Sequence, residues 1–171
     1  MKKGFSLVEV LLVLGFATVL IAGAFLAYSN VKSSNSANSE VQAAATMSAG
    51  IRSLYSGSPN YNGLTAKVMI DANIVPENKI NAAGDGITHD LGGTDQTITI
   101  TTDYNDTNFT IVYNGVPQKQ CSKFISAVAP SFNQIGVGGE GVNNSDGSLD
   151  VAKMTNLCNS GTSTSVFLVS D

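Results

Sequence analysis

From Phe5 to Leu26 the chain runs for 22 residues without a proline, and Glu9 is the one ionisable group in the run. As a helix such a segment reaches about 33 Å, against about 30 Å for the hydrocarbon core of a bilayer. An ionised carboxylate inside it costs at least about 2.5–3.5 kcal/mol on insertion scales, so Glu9 needs a partner. Lys2 and Lys3 precede the run and only Lys32 follows closely, which keeps the amino terminus cytoplasmic and carries the rest across. Three fates fit the segment. It is a secretory signal cut near Ala22-Gly23-Ala24, a permanent anchor, or an anchor from which only the short basic leader is removed.

Composition narrows what lies beyond the membrane. Charged residues make up 13% of the chain and Gly, Ser, Thr and Asn crowd its second half, a recipe for an exported surface protein rather than a cytosolic enzyme. The net charge of −4 gives no general attraction for phosphates, so direct nucleic-acid binding is not expected. The two cysteines, Cys121 and Cys158, both follow the apolar run, and in an exported chain an even pair reads as a disulfide, the alternative being two buried thiols. Closing a loop of roughly 38 residues is worth about 4 kcal/mol in the chain-entropy account. No C-x-x-C spacing or His–Cys cluster exists, so no metal and no cofactor is expected.

Past Tyr28 the pattern turns amphipathic. Ala37, Val41, Ala44, Ala45, Ser48, Ile51, Leu54 and Tyr55 recur at helical spacing, while Lys32, Asn35, Glu40, Gln42 and Arg52 are assigned to the solvent side. One helix is expected from Phe5 to Tyr55, ended by Gly57-Ser58-Pro59. Residues 56–95 are turn-rich, with a short helix at Ala66–Ala72. QTITITT (Gln96–Thr102) and NFTIVYN (Asn108–Asn114) alternate as a hairpin, and SVFLVSD (Ser165–Asp171) reads as a further strand. Helices are expected at Gln118–Ala129 and Leu149–Cys158, with Ser131–Ser148 left as a loop.

The segment Gly4-Phe5-Ser6-Leu7-Val8-Glu9 resembles the type IV prepilin cleavage motif: a glycine, an aromatic first mature residue and a glutamate fifth after the cut. The leader MKKG is short and basic, as in many members of that family. The resemblance implies that prepilin peptidase cuts between Gly4 and Phe5, that the Phe5 amine is methylated, and that the chain assembles into a helical homopolymer. It also gives Glu9 its partner, the Phe5 amine of a neighbouring subunit. Gly15, Gly23 and the small residues Ala17, Thr18, Ala22 and Ala24 would let such helices approach closely. The run LYSGSPNYNGLTAKVMIDANIVPENKI and the later ITHDLGG resemble the connecting region of type IVb pilins, whereas the short leader and Phe5 look more like type IVa.

The fold implied is α+β: a long amino-terminal helix, half transmembrane, on a small antiparallel-sheet head. The organisation is a leader (1–4), a membrane and filament-core half-helix (5–28), an amphipathic half (29–56) and a head (57–171) with a disulfide-bounded region (121–158). The function implied is a structural subunit of a type IV pilus, held in the inner membrane before assembly and extracellular afterwards, with prepilin peptidase and the assembly machinery as partners. A minor pilin or a secretion pseudopilin shares the motif, and a soluble exported binding domain is the reading from another class. No enzyme is expected: His89, the single histidine, reads as a surface turn with no nucleophile nominated beside it. Val142–Asp150 is only faintly like a calcium loop, and GVGGEG (Gly136–Gly141) lacks the context of a phosphate cradle. Asn105, Asn108 and Asn143 begin glycosylation triplets.

Overall fold

A computed structural model describes residues 7–103 and 105–171, with the side chains of residues 25–27, 29–30 and 32–33 left undescribed. Gly4 and Phe5 therefore lie outside the described residues. By contacts the chain forms two compact units, 1–35 and 36–171. Helix α1 (Leu7–Leu54) supplies all of the described part of the first and opens the second.

Within the second unit, Ala37, Ala43, Ala44, Met47 and Ile51 of α1 are buried in one core with the sheet and the later helices. The stripe follows the expected spacing, with two corrections. Glu40 falls on the buried face and is fully inaccessible, because it sits three residues after Ala37 and four before Ala44. Leu54, assigned to the core, is 47% exposed. The Arg52 guanidinium bonds the Ser170 hydroxyl and the Asp171 carbonyl, at 2.8 Å for the latter, which ties the end of α1 to the last strand.

Helix α2 (Ala66–Asp71) is capped by Thr65, whose hydroxyl accepts from Val68 N, and a 3-10 turn follows at Glu77–Lys79. The sheet comprises β1 (Ile87–Thr88), β2 (Thr97–Thr102), β3 (Phe109–Pro117), β4 (Gln134–Val137), β5 (Glu140–Gly141) and β6 (Ser163–Ser170). Its spatial order is β1-β2-β3-β6-β4-β5, with antiparallel pairing throughout. The hairpin loop is held by Asp103, whose carboxylate accepts from the Thr107 amide and hydroxyl at 2.7 Å each. β3 runs past the expected Asn114 because a bulge between Tyr113 and Val116 re-aims it. Gly115 takes φ +72° at that bulge, and a Cβ there would stand 1.9 Å from the Asp95 carbonyl oxygen, so the backbones pass too closely for any other residue.

One expectation about the later chain needs correction. The Ser131–Ser148 stretch is not all loop, since it contains β4 and β5. Its glycines hide strand character, and order comes from pairing with β6, Ile135 opposite Leu168 and Val137 opposite Val166. β6 is a central strand between β3 and β4. Helices α3 (Gln118–Val128) and α4 (Val151–Cys158) form close to where they were expected. Cys121, Phe124, Ile125 and Val128 of α3 enter the core, with Met154 and Cys158 from α4.

Candidate functional site

In the first unit the span Leu7–Ala24 is an 18-residue apolar helical window with none of it buried. Leu7 is 79% exposed and Val19 71%, and Leu11, Leu14, Phe16 and Ile21 are likewise bare, so apolar side chains point outward on every side. Burying each fully is worth about 1.5–3 kcal/mol, which makes this surface unsustainable in water and suited to lipid or to other apolar helices. At about 27 Å it is close to a bilayer core in length. Glu9 lies in its first turn. Gly15 leaves a notch beside Leu12, Phe16 and Val19, and the Thr18 hydroxyl donates back to the Gly15 carbonyl at 2.8 Å. A notch of that kind admits a neighbouring helix.

The head carries a second constellation. Lys79, 1% exposed, donates to the fully buried Glu40 and to Asp90 Oδ2 at 2.6 Å, and Asp90 N donates to Glu40 Oε1 at 2.7 Å. Burial pulls the Lys79 pKa down, but the hydrogen bonds and charges of Asp90 and Glu40 outweigh it and leave the group above its usual value. Burial pushes the neighbouring Tyr113 phenol well above its ordinary value, and the charge of Glu40 adds to that. His89 is not at the surface as expected. It is fully buried, its Nε2 2.6 Å from the Asn114 carbonyl oxygen and its Nδ1 accepting from Leu91 N at 3.3 Å. Both ring nitrogens are thus used to hold backbone, the ring lying 5.6 Å from that of Tyr113. The arrangement clamps residues 79–91 to α1.

The third element is covalent. Cys121 of α3 and Cys158 of α4 are joined, with Cα atoms 5.7 Å apart and both residues buried. Between them the Asn143–Asp150 segment is wired to β4 and to itself: Asn143 Oδ1 accepts from Ile135 N at 2.6 Å, and Asp146 Oδ1 accepts from Ser148 N at 2.9 Å. Among the described residues no three His, Cys, Asp or Glu side chains gather as a metal site.

An exposed apolar helix, carrying an acidic residue in its first turn, thus leads into a disulfide-closed α+β head. The sequence pattern described as PilS N terminal matches residues 32–171. The chain belongs to the PilS family. Its fold is that of type IV pilins. The type IV b pilin from Salmonella typhi superposes with a TM-score of 0.58 at 16% identity, over 77% of this chain and 97% of that one. TcpA, a type IV pilin from Vibrio cholerae El Tor, gives 0.54 at 15% identity, over 80% and 99%. In sequence, the major structural subunit of bundle-forming pilus from Escherichia coli O127:H6 is 28% identical over 92 residues, 54% of this chain. The chain spans about half the length of that relative, 48%.

In this PilS-family chain, sequence reasoning singled out Glu9, Cys121 and Cys158, and the structure places them in different elements, the cysteines together and Glu9 in the other unit. It missed the clamp. Lys79 lies 39 residues from Glu40 in a 3-10 turn with no periodicity of its own. The one available signal was Glu40 itself, a carboxylate at an apolar position of a helical stripe.

Proposed function

We propose that this chain is the structural subunit of a type IV pilus, assembling through its amino-terminal helix into an extracellular fibre. The observation that carries the reading is the apolar window Leu7–Ala24, none of it buried, with Glu9 in the first turn, joined to a pilin head. In lipid the window is solvated by acyl chains, and in a fibre by the same window of other subunits. Prepilin peptidase removes residues 1–4 at the inner membrane, leaving a Phe5 amine one helical turn from Glu9. An incoming subunit's amine pairs with Glu9 of its neighbour, and the strength of such a pair in hydrocarbon turns into a preference for one axial stagger. The relative named as a bundle-forming pilus subunit supports the same role.

Intact mass and amino-terminal sequence of the protein from sheared surface fibres test this. A chain beginning at Phe5 and heavier by one methyl group is expected. A chain beginning near Phe25 would mean that a secretory signal had been removed, and would overturn the proposal. Glu9→Ala is expected to insert and be cut normally but to yield few or no fibres.

A further inference from the structure

The sheet face turned away from the core carries an aromatic surface of unusual setting. In β6, Val166, Leu168 and Ser170 are buried, so Phe167 projects to the opposite face, where its partners across the strands are Val112 of β3 and Gly136 of β4. A Cβ on Gly136 would lie 1.7 Å from Phe167 Cζ and 2.1 and 2.4 Å from Cε2 and Cε1. Distances that similar place the point above the ring plane, since a point in the plane beyond Cζ would be much farther from both Cε atoms. The ring therefore lies face-down on the strand, and glycine is the residue that lets it do so. The half-buried Phe167 also lines an open hollow of about 230 Å³, together with Gln134, Ile135, Gly141, Asn143 and Asn144.

A face-down aromatic over a glycine also occurs simply to cover a weak strand position. The rim distinguishes this one. None of the lining side chains is charged. Asn143 is fixed through both ends of its amide, to Ile135 N and to the Gly147 carbonyl at 3.1 Å. Asn144 is oriented by its bond to Ser148 Oγ at 2.9 Å, which leaves its amide oxygen as an acceptor. Gln134 is exposed and, among the described residues, its amide is bonded to nothing. A flat apolar plate ringed by neutral amides suits a ligand with an apolar, weakly electropositive face and a rim of hydroxyls. A pyranose in its chair form has that shape: axial C–H bonds on one face and equatorial hydroxyls around it.

We propose that Phe167, Gln134 and Asn144 form a binding subsite for a neutral pyranose of a surface glycan. The C–H face stacks on the Phe167 ring, and the hydroxyls bond the two amides. A single subsite of this size binds weakly, and in an assembly its strength would come from repetition. The proposal does not depend on polymerisation and can fail or succeed separately from it.

The test is saturation-transfer difference NMR on the full chain in detergent micelles, observing methyl glycosides of glucose, galactose, mannose and N-acetylglucosamine at millimolar concentration. Transfer to the C–H protons of one face is expected for at least one sugar. Binding should weaken roughly fivefold in Phe167→Leu and a few-fold in Gln134→Ala. Because Phe167→Leu could disturb the sheet, Gln134→Ala, at an exposed position, serves as the second variant. No transfer to any sugar would overturn the proposal. So would transfer unchanged in both variants, or equal transfer to cyclohexanol, which would mark an unselective apolar patch.

Discussion

Replacing Lys79 by methionine would strip the clamp of its cation while keeping most of the volume of the side chain. Glu40 would be left fully buried without its cation, its Oε2 already without a hydrogen-bonding partner among the described residues. Asp90, with 62% of its side chain exposed, can be hydrated and contributes little to the cost. Breaking a buried pair from one side typically costs about 3–5 kcal/mol. In a head of this size that lowers the melting temperature by on the order of 10 °C. The double variant Glu40→Leu, Lys79→Met removes both charges and should recover most of the loss. Thermal unfolding by circular dichroism, on the full chain in detergent with the disulfide intact, reads all three. Alkali gives an independent check. The raised Lys79 pKa means that its stabilisation is whole below the ordinary value near 10.5 and is lost as pH climbs through the folded-state value. Tyr113, also held protonated, adds a loss in the same direction that the Lys79→Met protein keeps, so the difference between the two pH curves belongs to Lys79. A single variant that loses less than about 1 kcal/mol, or a double variant no better than the single, would refute the claim that this pair is desolvated.

Other consequences are as direct. Cys121→Ser should lower head stability by about 4 kcal/mol, and melting that is the same with and without reductant would contradict it. Hydrogen bonds from the Thr107 and Asn108 side chains hold the Asp103 carboxylate at a pKa of about 2, so NMR titration should find the Thr107 amide unchanged down to pH 3 and shifting below it. A midpoint near the usual 3.8 would show the loop to be open in solution. Gly136→Ala must drive the Phe167 ring off the strand, at a cost of about 1–3 kcal/mol, and pairing it with Phe167→Ala should relieve most of that.

What the sequence disclosed and what it hid follow from how far each signal reaches along the chain. Periodicity is local, so α3 and α4 and the β2–β3 hairpin could be placed within a few residues. The half of α1 that meets the head was legible as a stripe of alanines and Ile51. The same rule misplaced Glu40, because a polar residue was assumed to face water, and only a cation far along the chain makes its burial tolerable. His89 was hidden for a related reason: its two nitrogens are satisfied by the backbone at Asn114 and Leu91, which no spacing announces. β4 was invisible because Gly136 sits where a β-branched residue would have signalled a strand, and it is Phe167 that completes it. The cysteine pair, by contrast, was readable through chemistry and compartment rather than through geometry.

The position of β6 has a consequence for the order in which the head takes shape. This strand follows every other strand in sequence yet lies between β3 and β4. Until Ser163–Ser170 is in place, the first three strands and the β4–β5 pair are separate sheets, each with an open edge and no shared ladder. The head therefore cannot close progressively as the chain emerges; its long-range pairing comes in one late step. Open edges of that kind recruit foreign strands, so the interval before β6 docks is when this chain is most exposed to aggregation and to proteases. Losing those eight residues would not fray one end of the sheet but divide it in two.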